Sequence, residues 1–135
     1  MKYDILKKLR AILLADPTIA SHVGTNIKVR ELPVTRVGKQ ITLRKTFGTS
    51  DSIIPLCRPD VFISVWVKQK EVTEPYKVTT EIVEKIIDLL NRKGESLNIN
   101  DLIVNQIVRV DADISYNDEE EYWIGMIHLE CVIND

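Results

Sequence analysis

The chain has 135 residues, 44% of them hydrophobic and 28% charged, with a formal net charge of −2; these are the proportions of one ordinary globular domain, and they exclude disordered, collagenous and coiled-coil chains. A domain of this size buries roughly 68% of its unfolded surface, so it folds without a disulfide framework or a structural metal. No stretch approaches the ~20 apolar residues of a membrane span, and Lys7, Lys8 and Arg10 interrupt the apolar run that a signal peptide needs, so a soluble protein used without export is expected.

Residues 3–15 carry Ile5, Leu6, Leu9, Ile12 and Leu13 at helical spacing, with Lys7, Lys8 and Arg10 mostly off the stripe. Asp16-Pro17 ends this helix, and Asp16 is placed to cap a short second one over 17–23 that Gly24 closes. Residues 26–32 alternate as a short strand ending at Pro33. Residues 34–59 are the least regular part and read as a long basic loop or flap, with a short strand available at 40–45. That segment holds Arg36, Lys39, Arg44, Lys45 and Arg58, one aromatic in Phe47, and a single acid in Asp51.

Residues 60–69 are the clearest strand, apolar on both faces and hence central or covered on both sides. Residues 73–93 form the main helix, about 30 Å long, with Thr73 as its cap, Pro75 close behind, and Gly94 after Arg92 and Lys93 at its end. Residues 102–116 and 122–133 alternate as the arms of a long hairpin whose turn is Asn117-Asp118-Glu119-Glu120-Glu121. Arms of that length with a polar tip are expected to project beyond the body. The fold class that follows is α+β: a mostly antiparallel sheet, two main helices packed on one face, and a long C-terminal β-hairpin.

Charge is unevenly distributed. Residues 111–135 contain Asp111, Asp113, Asp118, Glu119, Glu120, Glu121, Glu130 and Asp135 and no base. The remainder holds all 18 bases against 20 − 8 = 12 acids. Opposite fields on one subunit favour ordered contact with neighbouring copies or a polar partner, although acids also simply solvate an exposed hairpin. Cys57 and Cys131 have no framework spacing and read as two thiols in a reducing compartment.

No motif for catalysis emerges. The five glycines stand singly, without a phosphate loop or a nucleophile elbow. His22 and His128 lack nominated triad partners, and His128 and Cys131, three apart in a strand, point to opposite faces, so neither a catalytic nor a metal site is expected. Asp111 and Asp113 share a strand face, as the carboxylates of a magnesium nuclease do, but nothing marks the further acid or lysine such a site uses. No cofactor is implied. The basic segment lacks a groove-reading helix or an RNA-binding signature, which leaves a salt-sensitive attraction to DNA without sequence recognition.

Leu9-Arg10-Ala11-Ile12-Leu13-Leu14-Ala15-Asp16-Pro17 runs into Ile19-Ala20-Ser21-His22-Val23-Gly24, then a strand closed by Pro33. The aromatic-bearing Val61-Phe62-Ile63-Ser64-Val65-Trp66-Val67 follows, then a helix with Leu89-Leu90 near its end and two terminal strands. Taken in that order, the chain resembles the tail-completion or tail-terminator proteins of long-tailed phages and related head–tail joining proteins. The long segment 34–59 departs from the short connection that family members often have there. The resemblance implies a non-enzymatic virion protein, assembled in the host cytoplasm into a ring, typically a hexamer, in the tail or neck. Such a ring caps the head-proximal end of the tail tube, stops its growth and meets the head connector, with DNA passing through its lumen. Its contacts are expected at Arg36, Lys39, Arg44, Lys45, Phe47 and Arg58 on one side and at Asp118, Glu119, Glu120 and Glu121 on the other. The alternatives are a head-side neck adaptor, a tail-tube subunit, or a cellular protein-binding adaptor domain.

Overall fold

One residue organises the first two helices. Asp16 stands between α1 (Asp4–Ala15) and α2 (Pro17–Val23) with an extended backbone, and its carboxylate accepts the Ile19 N–H at 3.0 Å. The same carboxylate lies 3.7 Å from the Lys85 ammonium while its side chain is only 8% exposed. Gly24, at φ +58°, closes α2 in a conformation that L side chains rarely adopt. Asp16→Ala is expected to cost about 1–2 kcal/mol in urea unfolding. Asp16→Asn keeps the acceptor and drops the charge, so it should recover most of that loss; equal losses in the two variants would move the effect from the cap to the ion pair.

The computed structural model describes residues 4–46, 49–50, 56–58, 60–93, 97–99 and 102–134, with side chains described for 5–46, 60–90 and 111–130. After α2 come β1 (Ile27–Val29), β2 (Lys39–Lys45), β3 (Thr49–Ser50), β4 (Leu56–Arg58), β5 (Asp60–Lys68), α3 (Pro75–Lys93), β6 (Leu97–Ile99), β7 (Leu102–Asn117) and β8 (Tyr122–Asn134). The body of the sheet runs β1-β2-β5-β8-β7; β1 is parallel to β2 and every other pairing is antiparallel. The fold is α+β with a mostly antiparallel sheet, as expected.

Alternation gives the sheet two different faces. Ile41 and Leu43 of β2, Val61, Ile63, Val65 and Val67 of β5, and Ile127 and Leu129 of β8 are fully buried against the helices. They meet Ile5, Leu9 and Leu13 of α1 and Ile82, Ile86 and Leu90 of α3, and each such side chain contributes about 1.5–3 kcal/mol by leaving water. Gly125 of β8 lies on this face. A Cβ built there would stand 2.4 Å from Val83 Cγ2 and 3.3 Å from Thr79 Cγ2, so α3 sits on the sheet where glycine has no side chain. The opposite face has no helix packed on it and carries Gln40, Thr42 and Arg44, then Phe62, Ser64 and Trp66, then Tyr122, Ile124, Met126 and His128.

Several sequence expectations change. The segment 34–59 is not one loop, because Lys39–Lys45 is a seven-residue strand inside the sheet, with Gln40, Ile41, Thr42 and Leu43 all buried. The pairing then continues outward. From Asp60↔Glu130 to Cys57↔Ile133 the β8 partner advances by three while β5 and β4 recede by three, so β4 and β5 share one register against β8 across Pro59. On the other side, Lys45↔Val61 and Thr49↔Arg58 differ by four residues on one strand and three on the other, a one-residue offset of the kind a bulge makes. β2 and β5, and beyond them β3 and β4, are therefore the arms of one hairpin whose outer part is β3·β4.

The strand at 26–32 is shorter than expected, Ile27–Val29, and β6 was not foreseen. Helix α3 starts at Pro75, so Glu74 takes the position expected of Thr73. Glu74 has φ +52°, and its carbonyl accepts the Val78 N–H at 3.1 Å. The turn of the β7–β8 hairpin does not project either. Tyr122 pairs with Lys68 at the end of β5, and the Gln69 N–H donates to the Glu121 carbonyl at 3.0 Å. The hairpin runs past β5 at its other end, where β8 pairs with β4 and β7 pairs with β6.

Candidate functional site

The residues expected to make contacts fall into two groups at opposite ends of the sheet and one set between them. At one end is the turn 118–121. The Asn117 side-chain oxygen accepts the Glu120 N–H at 3.0 Å, which closes the turn, and Asp118, Glu119 and Glu120 are exposed. Glu121 differs from its neighbours: half-buried and at φ +57°, it pairs with Lys70 at 3.0 Å. That hydrogen bond, with the carboxylate charge behind it, holds the Lys70 ammonium above its usual pKa. Behind the turn, Tyr122 is buried and its hydroxyl has no hydrogen-bond partner among the described residues; burial pushes its phenol above the usual value.

Lys45 and Arg58 mark the other end. Lys45 pairs with Val61 in the ladder, seven residues from Lys68, or about 23 Å at 3.3 Å per residue. Arg58 is the last residue of β4, and Phe47 lies outside the described residues. Arg36 is exposed, and Lys39 opens β2 at the acidic end. The basic residues are thus not one patch. Arg44 is already engaged, with its guanidinium 4.2 Å from the Phe62 ring centroid.

Between the two ends, the face without helices holds a shallow groove of about 450 Å³. Phe62, Trp66, Ile124 and Met126 give it an apolar floor, and Asp111, Asp113 and Ser115 form the β7 side. Asp111 and Asp113 do share one strand face, opposite His128 and Met126, and both are exposed. Trp66 donates to Thr42 Oγ1 at 2.9 Å and meets Tyr122 edge-on at 5.7 Å, which fixes the floor. A second aromatic group lies near the acidic turn, where Trp123 contacts Tyr76 and Tyr116 at 5.1 and 5.0 Å and donates to Gln69 at 2.6 Å.

His128 has a partner that sequence reasoning missed. Its Nε2 lies 2.9 Å from Asp60 Oδ1, and Asp60 is 68 residues away. The ring also stacks on Phe62, with centroids 4.7 Å apart and planes 9° apart. Only the alignment of β5 with β8 could have found this pair.

Among the described residues, both edges of the sheet are open along most of their length. β1 is three residues long and followed by exposed Leu32, with Val29 also exposed. On its outer side β7 is paired, among the described residues, only at Leu102–Val104, by β6. Among the described residues no helix is long and apolar enough to cross a membrane.

No family model matches the chain, and no curated protein does. Among solved structures, a chain from the virion of a native gene transfer agent particle is similar, with a TM-score of 0.78 over 97% of this chain and 95% of that one. Identity is 16%, so the likeness is one of fold, and it extends from end to end of both chains.

Proposed function

We propose that this chain is a structural protein of a phage-like virion: a subunit of a ring at the head-proximal end of the tail tube that ends tube growth and joins tail to head connector. The observation that carries this reading is the end-to-end likeness to a chain of a gene transfer agent virion, in which neither chain has a large segment left over. Two features of the molecule agree with it. The sheet has an open edge on each side, and strands with unpaired N–H and C=O groups are ready partners for another chain. The exposed acids Asp118, Glu119 and Glu120 and the strand positions of Lys45 in β2 and Arg58 in β4 lie at opposite ends of one subunit, well beyond the ~8 Å screening length at physiological salt. They meet only between copies, and a head-to-tail contact of that kind forms a ring when the rotation between copies closes. The partners are further copies of the chain, the tube protein and the connector, with DNA in the lumen held by no sequence-specific contact.

Light scattering across a concentration and salt series tests the reading. The expected result is a discrete closed oligomer near six subunits, or a monomer that becomes one when tail-tube protein is added. A chain that stays monomeric with tube protein present would overturn it. The combined variant Asp118→Lys, Glu119→Lys, Glu120→Lys, which spares the Glu121–Lys70 pair, should raise the dissociation midpoint roughly tenfold. Unchanged oligomer mass at low salt would remove the acidic turn from the contact.

A further inference from the structure

Asp60, His128 and Glu130 converge on the face without helices. Asp60 is paired directly with Glu130, and His128, two residues before Glu130, is paired with Phe62. One donor atom from each of the three lies within 4.8 Å of the others, and all three side chains are half-buried. We propose that these residues bind a divalent transition-metal ion of the zinc class.

Three observations support the assignment. The first is the donor set. One imidazole nitrogen and two carboxylate oxygens suit zinc, cobalt or nickel, whereas magnesium and calcium take oxygen ligands alone. Bonds of about 2.1 Å put tetrahedral donors about 3.4 Å apart; here His128 and Asp60 are 2.9 Å apart and all three donors lie within 4.8 Å of one another, compatible with that value. Rotation of the long Glu130 side chain is enough to close the set.

The second is preorganisation. The His128 ring is held parallel to Phe62, and Phe62 sits between His128 on β8 and Arg44 on β2. The Asp60 backbone is fixed twice to Thr46: its N–H donates to Thr46 Oγ1 at 3.2 Å, and its carbonyl accepts the Thr46 N–H at 2.9 Å. Two of the three donors therefore lose little freedom on binding.

The third is charge. Asp60 and Glu130, two carboxylates directly opposite each other across a ladder, repel, while β7 brings one charge of each sign beside the group, Asp111 opposite His128 and Arg109 opposite Glu130. A bound dication offsets the repulsion between the two carboxylates. It also ties β5 to β8 where the sheet passes from β5 to β4, and leaves a coordination position for water or for a donor from another molecule.

The test is titration of the metal-free chain with Co²⁺, followed by displacement with Zn²⁺. The expected result is one equivalent bound in the micromolar range, with a weak visible absorption of nitrogen–oxygen coordination, displaced by Zn²⁺ but not by millimolar Mg²⁺. His128→Gln and Glu130→Gln should each weaken binding at least tenfold while retaining the parent circular dichroism, and His22→Gln should leave it unchanged. Absence of saturable uptake, an intense near-ultraviolet thiolate band that assigns the ion to Cys57 or Cys131, or full affinity in Glu130→Gln would overturn the proposal. Should His128→Gln fail to fold, Glu130→Gln and the band position still decide it.

Discussion

Gly125→Ala lowers the stability of the protein by about 2–3 kcal/mol, which for a chain of this length is a fall of about 7–10 °C in Tm. The added methyl would lie 2.4 Å from Val83 Cγ2, where non-bonded carbons rest at about 3.5–4.0 Å. Val83 cannot turn away easily, because a β-branched residue in a helix has one strongly preferred rotamer. Relief must come from lifting α3 or bending β8, and both Ile82 and Ile86 on that helix are fully buried. Thermal and urea unfolding of the variant give the magnitude. The double variant Gly125→Ala, Val83→Ala should recover part of the loss, since it removes the clashing methyl; strict additivity of the two single losses, or a Gly125→Ala Tm within about 2 °C of the parent, would show that α3 is not seated on this residue.

Gln40→Leu is expected to cost about 2–3 kcal/mol although it replaces one buried side chain by another of similar size. Gln40 is 2% exposed, and its amide does the work of a neighbouring strand. Its Oε1 accepts the Val34 N–H at 2.7 Å, and its Nε2 donates to the carbonyls of Val34 and Val37 at 2.8 and 3.2 Å. Leucine leaves the Val34 N–H and the Val37 carbonyl without this partner, while the Val34 carbonyl keeps the Val37 N–H at 3.1 Å, and an unsatisfied buried group costs about 1–3 kcal/mol. Gln40→Glu keeps the acceptor for Val34 but turns a carboxylate toward two carbonyl oxygens, and should be at least as damaging. Hydrogen exchange at the Val34 amide checks the mechanism apart from global stability: it should accelerate in Gln40→Leu well beyond amides in β5. Equal acceleration everywhere would mean a general loss of packing.

Much of this architecture was legible in the sequence, for identifiable reasons. Asp16-Pro17 carries both a stop and a cap, and the structure has each where the residues predict. The strand beginning at Asp60 and the alternation through Tyr122–Asn134 are long enough for period two to stand out. β2 was harder to read. Ile41 and Leu43 are its only apolar residues, and its other face is filled by Gln40, Thr42 and Arg44, whose burial is made tolerable by the Val34 loop, Trp66 and Phe62. Val34 is six residues from Gln40, but the partners of Thr42 and Arg44 lie on β5, so residues 40–45 read as a short strand within a basic loop and not as a buried central one. Thr73 was the plausible cap on composition, but Pro75 began the helix one residue after Glu74 and left Thr73 outside. Of the candidate contacts, the acidic turn was visible as a charge run, whereas its attachment through Gln69 and Lys70 depends on where β5 ends. The Asp60–His128–Glu130 group is a product of strand register, which no local pattern in this chain encodes.

The continuity of register between β4 and β5 has a consequence for how the chain tolerates change in length. A proline has no N–H to give, and on that ground alone Pro59 reads as a natural place for a join that can stretch. The pairing on either side says otherwise, since Cys57 and Asp60 keep step with Ile133 and Glu130 as if the ladder were unbroken. One residue added or removed between Arg58 and Asp60 would invert which side of β4 looks toward which side of the sheet, because side chains alternate with every residue. The outer hairpin is therefore phased to the body by a residue count.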